Sequence, residues 1–229
     1  MAWRSSGATN KDLINNLFKN GLIKSPRIKD AMLAVDRAHY APHTPYSDSP
    51  QTIGHSATIS APHMHALALE SLLPHLTSSS NVLDIGSGSG YLTHVLAHLT
   101  SPSGTVTGID HIPALTTLAV ENMSKSTSGR GLLESGRVRF VTGDGRRGFA
   151  ERAPYDCIHV GAAAARHHDE LIEQLKSPGR LFVPVEEEEE EGVQYIWVVD
   201  KKEDGSVVKE RTIGVRYVPL CDATGDGEV

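Results

Sequence analysis

From Ala61 to Val185 the chain alternates short β-branched runs with stretches of helical period, and this alternation constrains the fold more than any other feature. A helix across PHMHALALESLL precedes the strand NVLDI, the helix YLTHVLAHL and the strand TVTGID. A helix opened by Pro113 follows, then the strands RVRFVTGD and YDCIHVGA, a helix DELIEQL and the strand RLFVPV. Repeated β-α-β units wind right-handed and build a parallel sheet with helices on both faces. After Val185 the rhythm changes. QYIWVVDK and SVVKERTI flank a turn containing Asp204 and Gly205, which reads as an antiparallel hairpin, and RYVPL is expected to add a last strand. The expected fold is α/β: a doubly wound, mostly parallel, seven-stranded sheet with a helical N-terminal segment and a C-terminal antiparallel hairpin.

Leu13, Ile14, Leu17 and Phe18 form one apolar stripe, closed by Gly21 where a C-terminal cap belongs. A second helix begins at Ser25, with Pro26 in its first turn and Ile28, Met32 and Val35 facing inward. The following YAPHTPYSDSPQTIGHS is rich in Pro, Ser and Gly and is expected to be an irregular loop, a candidate lid or substrate rim. A length of 229 residues suits one domain over 1–229: a helical segment and substrate loop over 1–60, an α/β core over 61–185, and the hairpin and last strand over 186–229. The run Glu186 to Glu191 reads as a solvated loop tip, because like charges repel.

Lys and Arg total 22 against 28 for Asp and Glu, and the net charge of -6 argues against a nucleic-acid or anionic-membrane partner. Cys157 and Cys221 provide neither a disulfide framework nor a four-cysteine metal site, which fits a reducing compartment. The opening MAWRSSGATNKDL lacks the apolar core of a secretion signal, and no stretch approaches the ~18 apolar residues of a membrane span. A soluble, cytoplasmic protein is expected.

In an open parallel sheet, ligands bind beyond the carboxyl ends of the strands where the strand order reverses. In VLDIGSGSG, Val82, Leu83 and Ile85 suit a buried strand carrying Asp84, and Gly86, Ser87, Gly88, Ser89 and Gly90 force a tight turn before a helix. Dinucleotide loops place the third glycine three positions after the second; here the glycines alternate, so no pyrophosphate needs to be held. Asp110 ends the next strand, where an acid accepts both hydrogen bonds of a ribose diol. Gly143 and Asp144 end the third, where Asp144 can meet an adenine amine, and HVGAAAA leaves space after the fourth. Together these meet the needs of S-adenosylmethionine, with the loop for its methionine part.

The stretches SPQTIGHSATISAPHMHALALE, LDIGSGSGYLT, GIDHI, GDGRRG, APYDCIHVGAAA and YVPL together resemble the protein L-isoaspartyl O-methyltransferases, over about Ala2 to Asp222. ATISAPHMHA is the specific part, since many methyltransferases share the glycine loop. The resemblance implies a Rossmann-like fold and a repair enzyme, expected to be monomeric, that acts on isoaspartyl-containing proteins and peptides; activity on D-aspartyl residues stays open. It implies that Thr58, Ile59 and Ser60 line the substrate carboxylate, with the Ser60 hydroxyl as orienting donor and catalytic residue. It implies that Val218 and Pro219 help hold an extended peptide, and that Ile59, Ser60, His65, His111 and Cys221 adjoin the cofactor. Cys221 stands where relatives commonly have threonine, and Ala165 and Arg166 where they usually place a proline after the small-residue run.

An L-isoaspartyl residue leaves its α-carboxyl free, with a pKa of about 3.5, so it is already an anion at neutral pH and no general base is required. Catalysis then reduces to placing a carboxylate oxygen in line with the methyl group in a dry pocket. The rival reading of Ser60 is a cap for the helix beginning at Pro62. His63 and His65, and the i, i+4 pair His94 and His98, lack an obvious third metal ligand and read as surface or packing residues. Arg166, His167 and His168 are expected to face solvent, and Trp197 to pack within the hairpin. The competing functions are methylation of a small molecule or nucleic acid on the same fold, and a noncatalytic module that keeps the cofactor site.

Overall fold

The structure is a computed structural model that describes residues 5–187, 192–218 and 220. Its N-terminal part contains helices α1 (Asn10–Lys19) and α2 (Pro26–Ala34) and a small antiparallel hairpin of β1 (Gln51–Gly54) and β2 (Ala57–Ile59). The core follows as α3 (Pro62–Leu72), β3 (Asn81–Ile85), α4 (Tyr91–Leu99), β4 (Thr105–Asp110), α5 (Pro113–Ser124), α6 (Thr127–Glu134) and β5 (Val138–Thr142). It continues with β6 (Tyr155–Val160), α7 (Asp169–Glu173), β7 (Leu175–Glu186), β8 (Gln194–Lys201) and β9 (Val207–Val215).

The sheet order is β5-β4-β3-β6-β7-β8-β9. The pairs from β5 through β7 are parallel, whereas β8 and β9 run antiparallel to their neighbours. The doubly wound, mostly parallel sheet with a C-terminal antiparallel hairpin is thus observed. Apolar residues cover both faces, as a central parallel strand demands. On one face Leu13, Ile14, Leu17, Ile28 and Met32 pack with Leu69, Leu72, Val95 and Leu96. On the other, Leu83, Ile85, Ile158 and Val160 pack with Leu171, Leu175 and Leu181. Each such side chain contributes about 1.5–3 kcal/mol by leaving water, so the N-terminal helices are bound to the sheet and the loop after them is carried to its edge.

Local signals explain the helix ends. The Thr9 hydroxyl accepts from the Asp12 backbone at 3.1 Å and starts α1. Gly21, at φ +73, turns the chain out after it, with the Leu22 amide donating back to the Leu17 carbonyl at 2.9 Å.

Several expectations require correction. Phe18 is exposed rather than part of the buried stripe; it sits next to Leu17 on the helix and is rotated off the inward face. The loop after α2 is not wholly irregular, since QTIG and ATI pair as β1 and β2 around His55 and Ser56, both at positive φ. A separate helix, α6, precedes β5, and its Ser126 cap accepts from the Gly129 amide at 3.0 Å. α7 ends at Glu173, short of the expected DELIEQL. The described part of RYVPL is not a strand. His167 and His168 are half-buried, with His167 edge-on to Trp197 at 5.0 Å. Glu188 to Glu191, Pro219 and Cys221 lie outside the described residues.

Candidate active site

β4 lies on one side of β3 and β6 on the other, so the strand order reverses beside β3, the point at which an open α/β sheet leaves a crevice. β3 carries Asp84 into that crevice. The register pairs Asp84 with His159 on β6, and the Asp84 Oδ1 accepts from His159 Nδ1 at 2.8 Å while its Oδ2 accepts from the Thr93 hydroxyl at 2.6 Å. A carboxylate only accepts, so His159 holds its proton on Nδ1. The imidazole stacks on Phe182 at 5.8 Å.

The glycine loop leaves β3 with Gly86, Gly88 and Gly90 at φ +71, +50 and +83, a region that side chains with a Cβ resist. The Gly86 and Ser87 amides donate to the Ile109 carbonyl at 2.8 and 3.1 Å, and the Gly88 amide donates to Asp110 Oδ2 at 3.0 Å. Asp110 Oδ1 accepts from the Ile112 amide at 3.1 Å, with His111 Nδ1 3.6 Å away. Asp110 therefore ties the loop to the next strand end as well as presenting a carboxylate there. The Ser87 hydroxyl is buried without a partner among the described residues.

At the third strand end, the Gly143 amide donates to the Asp110 carbonyl at 2.9 Å. The Asp144 carboxylate accepts from Arg146 Nε and Nη2, both at 2.9 Å, and from the Arg146 amide at 3.0 Å. These bonds hold its pKa below the usual carboxylate range.

The opposite wall comes from β2 and the residue after it. Thr58, Ile59, Ser60 and His65 meet Asp84, Gly86, Ser87, Gly88 and Ser89 around one open cleft. Tyr91, Leu92, His159 and Gly161 complete the lining. Behind Ser60 lies Arg37, fully buried; its Nη2 donates to the Ser60 carbonyl at 2.8 Å, and its guanidinium covers the Tyr91 ring at 5.2 Å. Arg37 Nη1 is 3.5 Å from His65 Nδ1. Burial lowers the Arg37 pKa to about 10, which still leaves a cation at neutral pH. Burial first, then the Arg37 charge, keep the His65 pKa well below its ordinary value, so its ring is neutral with Nδ1 as acceptor and the proton on Nε2.

The N-cap of α3 is Ala61, with no side-chain capping bond, so Ser60 does not cap that helix, and Ser60 is among the residues that line the cleft. Asp110, His111, Gly143 and Asp144 lie at or just past the ends of β4 and β5 and are not among the residues lining this cleft, although Asp110 is tied to it through the Gly88 amide. The Val218 carbonyl accepts from the Ala163 amide at 2.8 Å, and the Leu220 amide donates to the Ala163 carbonyl at 2.7 Å, which fastens the C-terminal segment beside the end of β6. Tyr91 and His159 line the cleft and Arg37 and Thr93 support its lining residues, and none of the four is singled out by the sequence. The nearest signal was a histidine next to the end of the strand YDCIHV, and only the β3–β6 register sets it against Asp84.

Together, the glycine loop, the acids at successive strand ends and the sheet order define a Rossmann-like methyltransferase fold. The family model described as Protein-L-isoaspartate(D-aspartate) O-methyltransferase (PCMT) matches residues 8–225. A Caenorhabditis elegans protein-L-isoaspartate O-methyltransferase is 49% identical over 220 residues, covering 96% of each chain. Protein-L-isoaspartate O-methyltransferase 1 of Arabidopsis thaliana is 45% identical, covering 94% of this chain and 93% of its own. Among solved structures, a beta-aspartate methyltransferase (PCMT) from Plasmodium falciparum in complex with S-adenosyl-L-homocysteine superposes with a TM-score of 0.85 at 32% identity, covering 94% of this chain and 99% of that one. The chain belongs to the protein-L-isoaspartate(D-aspartate) O-methyltransferase family.

Proposed function

We propose that this protein transfers the methyl group of S-adenosylmethionine to the free α-carboxylate of L-isoaspartyl residues in damaged proteins and peptides. The carrying observation is that the Thr58–Ser60 stretch and the glycine loop form opposite walls of one cleft. The cofactor suits the residues present. Asp84 and Asp110 provide acceptors for an ammonium and a diol, the unpartnered Ser87 hydroxyl remains for a polar atom, and left-handed glycines let the backbone approach closely. When bound, it supplies an electrophilic methyl group on a sulfonium.

The remaining tasks fall to the protein. Gly86, Ser87, Gly88 and Ser89 receive the methionine part beside Asp84, Asp110 with His111 the ribose, and Gly143 with Asp144 the base. Ile59, Ser60 and His65 close the cofactor from the substrate side. The Ser60 hydroxyl donates to the substrate carboxylate and fixes its angle of attack, while Thr58 and Ile59 form the wall against it. The backbone at Val218 supports the extended peptide; Pro219 and Cys221, to which the resemblance gives peptide and cofactor roles, lie outside the described residues. The carboxylate is already ionised, so no residue need remove a proton, and alignment in a water-poor cleft is the main contribution. We place the protein in the cytoplasm as a monomer, a setting that suits its buried free thiol at Cys157.

The test is transfer of labelled methyl to a synthetic isoaspartyl peptide and its aspartyl twin. Transfer to the first alone is expected, since the twin's carboxylate sits one methylene further from the backbone; equal transfer to both overturns the reading.

A further inference from the structure

Burying an ion costs heavily unless fixed charges or well-placed dipoles replace its hydration. Arg37 has 0% of its surface exposed, and its replacements for water are all neutral. They are the Ser60 carbonyl at 2.8 Å, the His65 ring at 3.5 Å and the face of Tyr91 at 5.2 Å. Its Nε has no partner among the described residues. Among the described residues no carboxylate forms an ion pair with Arg37. The Asp48 carboxylate is near enough for its field to reach Arg37 but forms no ion pair with it; its Oδ1 accepts from the His63 amide at 3.0 Å and lies 2.8 Å from the His63 ring, and its Oδ2 is buried without a partner among the described residues. A cation without a direct counter-ion thus stands behind Ser60, and the carbonyl it holds belongs to the wall of the cleft.

We infer that Arg37 is the fixed counter-charge for the substrate's α-carboxylate. The inference rests on the methyl-transfer reading above. An incoming carboxylate supplies the negative charge that the buried guanidinium lacks, an attraction worth about tenfold or more in affinity across a partly buried site. Transfer of the methyl group neutralises that carboxylate, so the ester product loses the attraction and leaves more readily. Because the attraction is strongest before reaction and fades as charge is lost, it acts on binding rather than on turnover. Lysine can replace the charge, whereas the planar fork that reaches both Ser60 and His65 is particular to arginine.

The experiment measures the affinity of the S-adenosylhomocysteine-bound protein for an isoaspartyl peptide and for the same peptide with its α-carboxyl converted to carboxamide. It uses wild type, Arg37→Met and Arg37→Lys, with KM and kcat for the isoaspartyl peptide measured alongside. Wild type is expected to prefer the carboxylate by about tenfold or more. Arg37→Met should narrow the preference to about twofold and raise KM about tenfold, with kcat per folded molecule within about threefold of wild type. Arg37→Lys should keep most of the preference. An undiminished preference in the methionine variant, or a fall in kcat at unchanged KM, overturns the inference. Should the methionine variant not fold, the lysine variant decides: retained preference supports the counter-charge and lost preference refutes it. A wild-type protein that transfers no methyl to the isoaspartyl peptide overturns the reading of function itself, whereas an active wild type with an indifferent Arg37→Met overturns only the role of Arg37.

Discussion

Asp84 and His159 lie side by side on adjacent parallel strands, joined Oδ1 to Nδ1 at 2.8 Å, and both are buried at the cleft. The Thr93 hydroxyl on the other carboxylate oxygen leaves Asp84 with one orientation. His159→Phe keeps a ring against Phe182 and strands one carboxylate oxygen without a donor, which costs about 1–3 kcal/mol. Denaturant unfolding should register that loss, and calorimetric titration should show weaker binding of S-adenosylhomocysteine. Wild-type stability in the variant would mean that the pair contributes nothing.

Asp110→Asn has two expected effects, because both carboxylate oxygens already accept backbone amides, from Gly88 and from Ile112. The amide nitrogen of asparagine must oppose one of those donors. The glycine loop loses its tie and the ribose loses an anion, so affinity for S-adenosylhomocysteine should fall by about tenfold or more, given charged hydrogen bonds worth about 1.5–3 kcal/mol each. Unchanged affinity by calorimetry would place the ribose elsewhere.

For Ser60→Ala, stability should stay within about 0.5 kcal/mol of wild type, because the hydroxyl caps no helix in this fold. Turnover should fall well beyond any change in cofactor affinity, since the lost bond acts on alignment. Ser60→Asn should be equally slow, as its amide does not reproduce the hydroxyl geometry. A drop of about 1 kcal/mol with normal turnover in the alanine variant would restore the cap reading.

Acid should weaken the fold through its buried histidines. The Tyr40 hydroxyl and His94 Nδ1 are hydrogen-bonded at 2.6 Å, and burial holds the His94 pKa down to about 3. In the unfolded chain the same ring titrates near 6.5. Between those values the unfolded state binds the extra proton, so the contribution of His94 is complete above about pH 6.5 and is lost as pH falls toward about 3. His65 acts in the same direction. Unfolding free energy should drop by about 1 kcal/mol from His94 alone between pH 6.5 and 5.5, and His94→Gln should flatten the profile by that amount. An identical slope in the variant would refute this.

The sequence by itself determined the elements that depend on neighbours along the chain. NVLDI is a strand because its apolar run is short and β-branched, GSGSG is a turn because its three glycines accept left-handed backbone angles, and Asp84, Asp110 and Asp144 fall next to, at and just past the ends of their strands. It also specified the doubly wound sheet, since alternating strands and helices have few right-handed ways to close. Tertiary structure alone decided what lies opposite what. His159 has no periodic signal tying it to Asp84, 75 positions earlier, until β3 and β6 pair in register. Arg37 gives no hint in its own segment that it will hold the Ser60 carbonyl, and Ser60 resembles a cap until α3 is seen to start from Ala61. The QTIG and ATI segments are too short and too turn-rich to announce strands, and they pair only because the turn at His55 and Ser56 brings them together. Local backbone preference acts over a few residues and is written in the sequence; the meeting of buried charges is a property of strand order and packing, fixed only when distant segments exclude water between them.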